Sequence, residues 1–429
     1  MPLDRSAAVP GAIRLRAARI RSRRPSRPPL IGLTGGPGQA GAYFITDYAF
    51  LLPTAGRDLV LFDQRGTGAS GLLRCPSLER SRNSTFERAA ATCGRTLGAR
   101  RSFYTSADSA DDIEALRIRL GVPQIALYAI SYGTRVAVEY ARRYPDRVER
   151  MILDSAVGID APDALGRETF KAVGRVLNAV CRDGCGGAQA HPVADARRLV
   201  NRPRRAVRIG ADDLLGLLVS SDGDPSFMRR IPPAVRSALG GNPRPLIRLR
   251  QRLGGGGTDR PSEFSSALYA ATTCEESILP WDQSATRLTR RLQARAAADA
   301  VPDAAFAPFD RTAALHFGLL PLCGSWPARE RVTPPAPPLP TTVRTLVLAG
   351  ELDLRTPLEN ARRLAQALGG RLVVERGVGH QVLGYDPNGC ATPAIEAFLA
   401  GRGVPACRRG ASISIGAAAS RRALPAALR

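Results

Sequence analysis

Gln124-Ile125-Ala126-Leu127-Tyr128-Ala129-Ile130-Ser131-Tyr132-Gly133-Thr134 joins an apolar run directly to a helical pattern that continues to Tyr144 and stops at Pro145. The run Gln124–Ile130 reads as a buried strand and Thr134–Tyr144 as a helix. A serine on so abrupt a strand-to-helix turn is lifted above the sheet edge, the setting of a nucleophile elbow. Small residues suit the crowded turn; the first position, commonly glycine, is Ala129 here. The five-residue pattern alone fits a turn serine with no chemistry equally well.

The same rhythm continues on both sides. Ile13–Ile20, Pro29–Thr34 and Asp58–Asp63 read as strands, Ser109–Leu120 as a helix with acidic residues in its first turn, and Arg150–Ser155 as the next strand. Strands alternating with helices predict an α/β fold, a mostly parallel sheet flanked by helices. From about residue 160 to 335 the alternation gives way to helical patterns broken by Gly and Pro, including Gly254–Gly257. Pro334-Pro335-Ala336-Pro337-Pro338 reads as a stiff linker. Strands at Thr345–Ala349 and Arg371–Glu375 then return, with helices at Pro357–Leu368 and Pro393–Leu399. The expected organisation is a core over 1–159, a helical cap over 160–335, a second core part over 336–407, and a loose Ala/Arg-rich tail over 408–429.

The 429 residues carry 61 basic and 38 acidic side chains, a net charge of +23. Such a balance can mark a nucleic-acid or membrane-surface protein. Here Lys171 is the only lysine, the arginines are spread along the chain with Arg14–Arg27 the densest patch, and no platform of interleaved aromatic and basic residues appears. The expectation is therefore no nucleic-acid partner. No apolar run reaches 18 residues, so no stable membrane insertion is expected. Eight cysteines, none in a C-x-x-C pair, favour disulfides and an oxidising compartment. Cys181, Cys185 and His191 could supply three zinc ligands, but a fourth is not evident. Neither a metal nor an organic cofactor is expected.

Two later segments complete a chemistry for Ser131. Asp353 follows a strand in Gly350-Glu351-Leu352-Asp353, and His380 follows the next strand in Gly377-Val378-Gly379-His380. Serine, acid and histidine in this chain order are the arrangement of α/β-hydrolases. His191 and His316 fall in the helical insertion, which leaves His380 as the histidine at a strand C-terminus. His380 would take the Ser131 proton and later protonate the leaving group, with Asp353 orienting the imidazole. The oxyanion would receive the Tyr132 N–H and one from the Gly35-Gly36-Pro37-Gly38 loop, assigned to Gly36. That loop lacks the following Lys and Ser/Thr of a phosphate loop.

With these motifs placed, the sequence resembles the α/β-hydrolase serine peptidases related to prolyl aminopeptidase, most closely the secreted tripeptidyl-aminopeptidase-like branch. The resemblance is carried by Leu33-Thr34-Gly35-Gly36-Pro37-Gly38, Asp63-Gln64-Arg65-Gly66-Thr67-Gly68, Ile130-Ser131-Tyr132-Gly133-Thr134, Gly350 to Pro357 and Gly377 to His380, over about residues 2–407. It departs at Ala129 and in the tail. It implies cleavage of peptides from a free amino terminus, with cap carboxylates holding the ammonium; Glu275 and Glu276 are the candidates. It implies the disulfides Cys75–Cys93, Cys181–Cys185, Cys274–Cys323 and Cys390–Cys407. It also implies that Pro2-Leu3-Asp4-Arg5 lies within the first strands of the domain, and that a secreted or cell-envelope protein would carry an export signal ahead of the present start. A carboxylic-ester hydrolase on the same triad and a catalytically silent binding protein are the alternatives.

Overall fold

The computed structural model describes residues 1–81, 86–160, 163–182, 184–185, 191–202, 209–254, 260–331, 336–386 and 389–407. Seven strands form one sheet: β1 (Ala17–Ile20), β2 (Leu30–Leu33), β3 (Leu59–Phe62), β4 (Ile125–Ile130), β5 (Val148–Asp154), β6 (Arg344–Gly350) and β7 (Arg371–Glu375). Their order is β1-β3-β2-β4-β5-β6-β7. β1 runs antiparallel along the β3 edge and every other pairing is parallel.

Successive residues of a strand face opposite sides, and β4 shows how both sides are filled. Ile125, Leu127 and Ala129 enter a core with Ile113 of α2 (Ser106–Leu120), Val136 and Tyr140 of α3 (Tyr132–Arg143) and Leu364 of α7 (Leu358–Ala367). Ala126, Tyr128 and Ile130 enter the opposite core with Tyr48 of α1 (Ile45–Leu51) and Ile395 of α8 (Ala391–Leu399). A strand covered on both faces reads as a continuous apolar run, which is why β4 was visible as one. Helix α2 begins three residues before its apolar periodicity, because Thr105 and Asp108 form a reciprocal capping box.

Between β5 and β6 the described residues add no strand to the sheet. They form helices, among them α4 (Arg167–Val180), α5 (Ala211–Ser220) and α6 (Ser266–Glu276). Their apolar faces, with Phe170, Leu215 and Leu268 buried, share a third core with Leu352 and Leu354 after β6. The insertion is thus packed onto the loops at the strand C-termini.

The first strand is shorter than the sequence suggests. Ile13 leaves the sheet, its N–H bonded to the Met1 carbonyl, while Leu3 bonds Gly11 and both side chains are buried beside the insertion core. Pro2 and Ala12 form an isolated bridge, so Pro2–Arg5 lies against the domain without joining the sheet. Disulfides join Cys75 to Cys93, Cys181 to Cys185, Cys274 to Cys323 and Cys390 to Cys407. The second removes the zinc reading of Cys181, Cys185 and His191, because its sulfurs are bonded to each other. The glycine run from residue 255 onward, Pro334-Pro335 of the linker and the tail 408–429 lie outside the described residues.

Candidate active site

Ser131 joins β4 to α3 with φ 54° and ψ −125°, a backbone that non-glycine residues rarely adopt. Its neighbours hold it there: its N–H donates to Asp154 O at 3.0 Å, and its carbonyl accepts from Thr134 N at 2.9 Å and Thr134 Oγ1 at 2.6 Å. Gly133 is required by contact. A Cβ there would lie 2.6 Å from Leu33 O, because α3 crosses the end of β2 at backbone distance. Ser131 stands at the N-terminus of α3, where unpaired N–H groups favour negative charge.

Asp353 and His380 come from the loops after β6 and β7. His380 Nδ1 lies 3.0 Å from Asp353 Oδ2. Thr356 fixes the carboxylate from the other side, its N–H donating to Oδ1 at 2.8 Å and its hydroxyl to Oδ2 at 2.7 Å. Both residues are buried. Burial opposes the Asp353 charge, but His380 and the Thr356 donors outweigh it and hold the carboxyl below its ordinary value. Burial likewise opposes an imidazolium, yet Asp353 and then Asp222 prevail and raise His380 above its ordinary value. With Nδ1 turned to Asp353, Nε2 is the nitrogen left for a reacting group.

Ser131 and His380 line one cavity of about 880 Å³ between the strand ends and the inserted helices. Gly36 and Tyr132 line it too, and neither N–H donates to another described protein group. Gly35 differs, since its N–H is held by Gln39 Oε1 at 2.9 Å. The Asp-Gln-Arg-Gly segment props this loop from below. Gln64 Nε2 donates to Thr34 O at 3.1 Å, and Asp63 accepts from Ala42 N and Ala69 N, both at 2.9 Å.

A family model described as alpha/beta hydrolase fold matches residues 28–208, and one described as TAP-like protein matches 310–412. The chain has the α/β-hydrolase fold, and its matches support a peptidase family of that fold. A tripeptidyl aminopeptidase of Streptomyces lividans is 24% identical over 457 aligned residues, covering 93% of this chain and 80% of its own. The serine protease Hip1 of Mycobacterium tuberculosis is 25% identical over 319, covering 69% of this chain and 59% of its own. A proline iminopeptidase of Arabidopsis thaliana is 32% identical over 132, covering 31% of this chain and 27% of its own.

Two side chains proposed to hold an ammonium in this α/β-hydrolase part ways. They are consecutive on α6, so about 100° of helix rotation separates them. Glu276 faces the cavity. Its Oε1 accepts from Ser106 Oγ at 2.6 Å and from Ser106 N, and Oε2 pairs with Arg135 Nε at 3.2 Å. Burial raises its carboxyl above the ordinary value, with Arg135 and Ser106 opposing. Glu275 is outside the cavity lining and inside the protein. Its Oε1 accepts from Trp326 Nε1 at 3.0 Å and pairs with Arg101 Nε at 3.2 Å, and Oε2 accepts from Ser102 Oγ at 3.1 Å. The oxygens of both glutamates have protein partners, so what separates the two is that Glu276 stands on the cavity wall and Glu275 does not.

The sequence reading missed Asp222, which brings a carboxylate from the insertion beside Asp353 and His380. Ligand-type atoms of these three lie within 4.8 Å of one another, but backbone N–H groups, Thr356 and Arg355 already occupy them. A second such group, Glu375 with Cys390 and Cys407, has its two sulfurs in a disulfide.

Proposed function

We propose that this protein is a serine peptidase that removes residues from the free amino terminus of peptides through an acyl-enzyme on Ser131. The observation that carries the reading is the strained Ser131 at a helix N-terminus, sharing a cavity with a His380 held by Asp353. His380 Nε2 takes the hydroxyl proton as Ser131 attacks the scissile carbonyl. Gly36 N–H and Tyr132 N–H receive the oxyanion, and the imidazolium, stabilised by Asp353, protonates the departing amine. Water then repeats the sequence on the acyl-enzyme. Core segments 1–159 and 336–407 supply these groups, and the insertion 160–335 roofs the cavity and limits it to chain ends. Four disulfides support an oxidising location, secreted or at the cell envelope; no helix among the described residues is long and apolar enough to cross a membrane.

The test is a tripeptidyl anilide with a free amino terminus against the same compound N-acetylated, with Ser131→Ala as blank. The free amine should be hydrolysed much faster. Equal rates would move the reading to a carboxylic-ester hydrolase on the same triad. Glu276→Gln should raise KM for the free amine about tenfold, the worth of one charge-assisted hydrogen bond, and leave the acetylated compound unaffected. Glu275→Gln should leave KM unchanged and lower the melting temperature.

A pH profile checks the base. Only neutral His380 can accept the proton, so kcat/KM should fall as pH drops through its titration. Because its carboxylate neighbours raise that titration, the acid limb should lie above the ordinary histidine value. A rate that stays flat from pH 5 to 8 would contradict the assignment.

A further inference from the structure

Asp222 follows α5, far in sequence from the loops after β6 and β7, yet it is completely buried against them. Its Oδ2 accepts from Leu354 N at 3.2 Å and Arg355 N at 3.0 Å, the two residues after Asp353. Its Oδ1 lies 2.9 Å from Arg355 Nε. The guanidinium of Arg355 in turn reaches the last carbonyls of α5, Val219 O at 3.4 Å and Ser220 O at 3.5 Å. The Asp222 carbonyl accepts from His380 N at 3.0 Å. Contact is at backbone distance, since a Cβ on Gly379 would stand 1.7 Å from Asp222 O. One residue of the insertion therefore holds both the loop that presents Asp353 and the loop that presents His380.

From this geometry we infer that Asp222 is a positioning residue that sets the Asp353 loop and the His380 loop against each other, so that the insertion completes the proton-transfer geometry as well as covering it. Two loops rooted in adjacent strands have no covalent reason to keep a fixed spacing above the sheet. Asp154 anchors the far side of the histidine loop from the core, accepting from Val382 N at 2.9 Å and Leu383 N at 3.0 Å. The two loops also bond each other near their roots, Leu352 N to Val378 O at 2.7 Å and Gly377 N to Glu351 Oε2 at 3.2 Å. Asp222 adds the link further out, at Leu354, Arg355 and His380, beside the reacting side chains. The charged groups facing Asp222 are Asp353, His380 and Arg355, and those facing His380 are Asp353, Asp222 and Arg355. The carboxylate of Asp222 thus also favours the imidazolium that forms during proton transfer.

The inference rests on the peptidase reading, and the experiment separates the two. Kinetics of wild type and Asp222→Asn are compared on the free-amine anilide from pH 5 to 9, alongside fluorophosphonate labelling of wild-type Ser131. The asparagine keeps the shape and removes the charge. Expected are a kcat lower by about 10- to 100-fold, as for a small misplacement of reacting groups, and a KM within about twofold of wild type. The acid limb should move to lower pH, because a carboxylate facing His380 is gone. A merely structural tie would not move that limb. A folded Asp222→Asn with unchanged kcat and limb, in an active wild type, would overturn the inference alone. A wild type that neither hydrolyses the anilide nor takes label at Ser131 would overturn the peptidase reading and this inference with it. Should Asp222→Asn fail to fold, hydrogen exchange on the wild type decides. The amides of Leu354, Arg355 and His380 should exchange as slowly as those of β6, and rapid exchange would overturn the inference.

Discussion

Ser131→Ala is expected to lower kcat on the tripeptidyl anilide by roughly a million-fold, leaving only the residual acceleration of an oxyanion site and a binding cavity. The size follows from the division of labour. The hydroxyl forms the covalent intermediate, and the other hydroxyl beside His380, that of Thr356, lies on the Nδ1 side and donates to Asp353 Oδ2 at 2.7 Å. His380→Ala should cost about as much, because an unactivated serine hydroxyl is a poor nucleophile. The double variant should be no slower than either single one, since the two residues act as one unit. Asp353→Asn should cost less, about ten-thousand-fold, because Thr356 still holds the loop while the imidazole loses its proper tautomer. The measurement is steady-state hydrolysis by each purified variant. Multiplying losses in the double variant, or Ser131→Ala within about tenfold of wild type, would sink the assignment.

Much of this site could be read from the sequence because a parallel sheet sends its strand C-termini to one edge. Ser131, Asp353 and His380 each follow a short apolar run closely, so finding the run finds the residue. β7 was read at Arg371–Glu375, its observed bounds, because Gly370 and Gly377 punctuate it on both sides. The first strand reads longer than it is because Ile13, Leu15 and Ala17 alternate as the apolar residues of a strand do. What pulls Ile13 out of the sheet is pairing with the Met1–Leu3 segment, a contact no local pattern encodes. The four disulfide pairs were available only through resemblance, since spacing leaves 105 pairings open.

What the sequence leaves open follows from the geometry of the insertion. Glu275 and Glu276 have the same charge and adjacent positions, and only the roll of α6 turns one to the cavity and the other to Arg101 and Trp326. Asp222 sits in Ser221-Asp222-Gly223-Asp224-Pro225, which reads as a polar turn before a proline-started helix. Asp224 does cap that helix, donor Phe227 N at 3.0 Å, so the local explanation is satisfied by the wrong aspartate. Nothing in the pentapeptide distinguishes the capping carboxylate from the one buried against the histidine loop.

Asp112→Ala is expected to destabilise the protein by about 3–5 kcal/mol, read as a lower urea midpoint with disulfides intact. The reason lies in the arginine of the Asp-Gln-Arg-Gly segment. Arg65 is 1% exposed and Asp112 0%. The guanidinium binds the carboxylate through two parallel bonds, Nε to Oδ2 and Nη2 to Oδ1, both 2.7 Å. Burial alone would pull Arg65 toward its neutral form, but Asp112 reverses this and keeps it charged. Removing the carboxylate leaves that charge in a place water cannot reach, with the more distant Asp108, Oδ1 at 3.9 Å from Nη1, as its remaining opposite charge, and the cost of the poorly paired ion exceeds the lost attraction of the pair. A double variant, Arg65→Met with Asp112→Leu, removes both charges and should recover part of the loss. Recovery should stay incomplete, because Arg65 Nη1 also donates to Phe103 O at 2.8 Å and Leu3 O at 3.2 Å, and methionine leaves those carbonyls without a donor. Arg65 thereby ties α2 and the first residues of the chain to the segment whose Gln64 props the Gly35–Gly36 loop. The single variant should accordingly lose kcat as well as stability at temperatures where it is still folded. An Asp112→Ala protein with the wild-type urea midpoint would show that the pair contributes nothing net, and that the motif acts on the site through Asp63 and Gln64 alone.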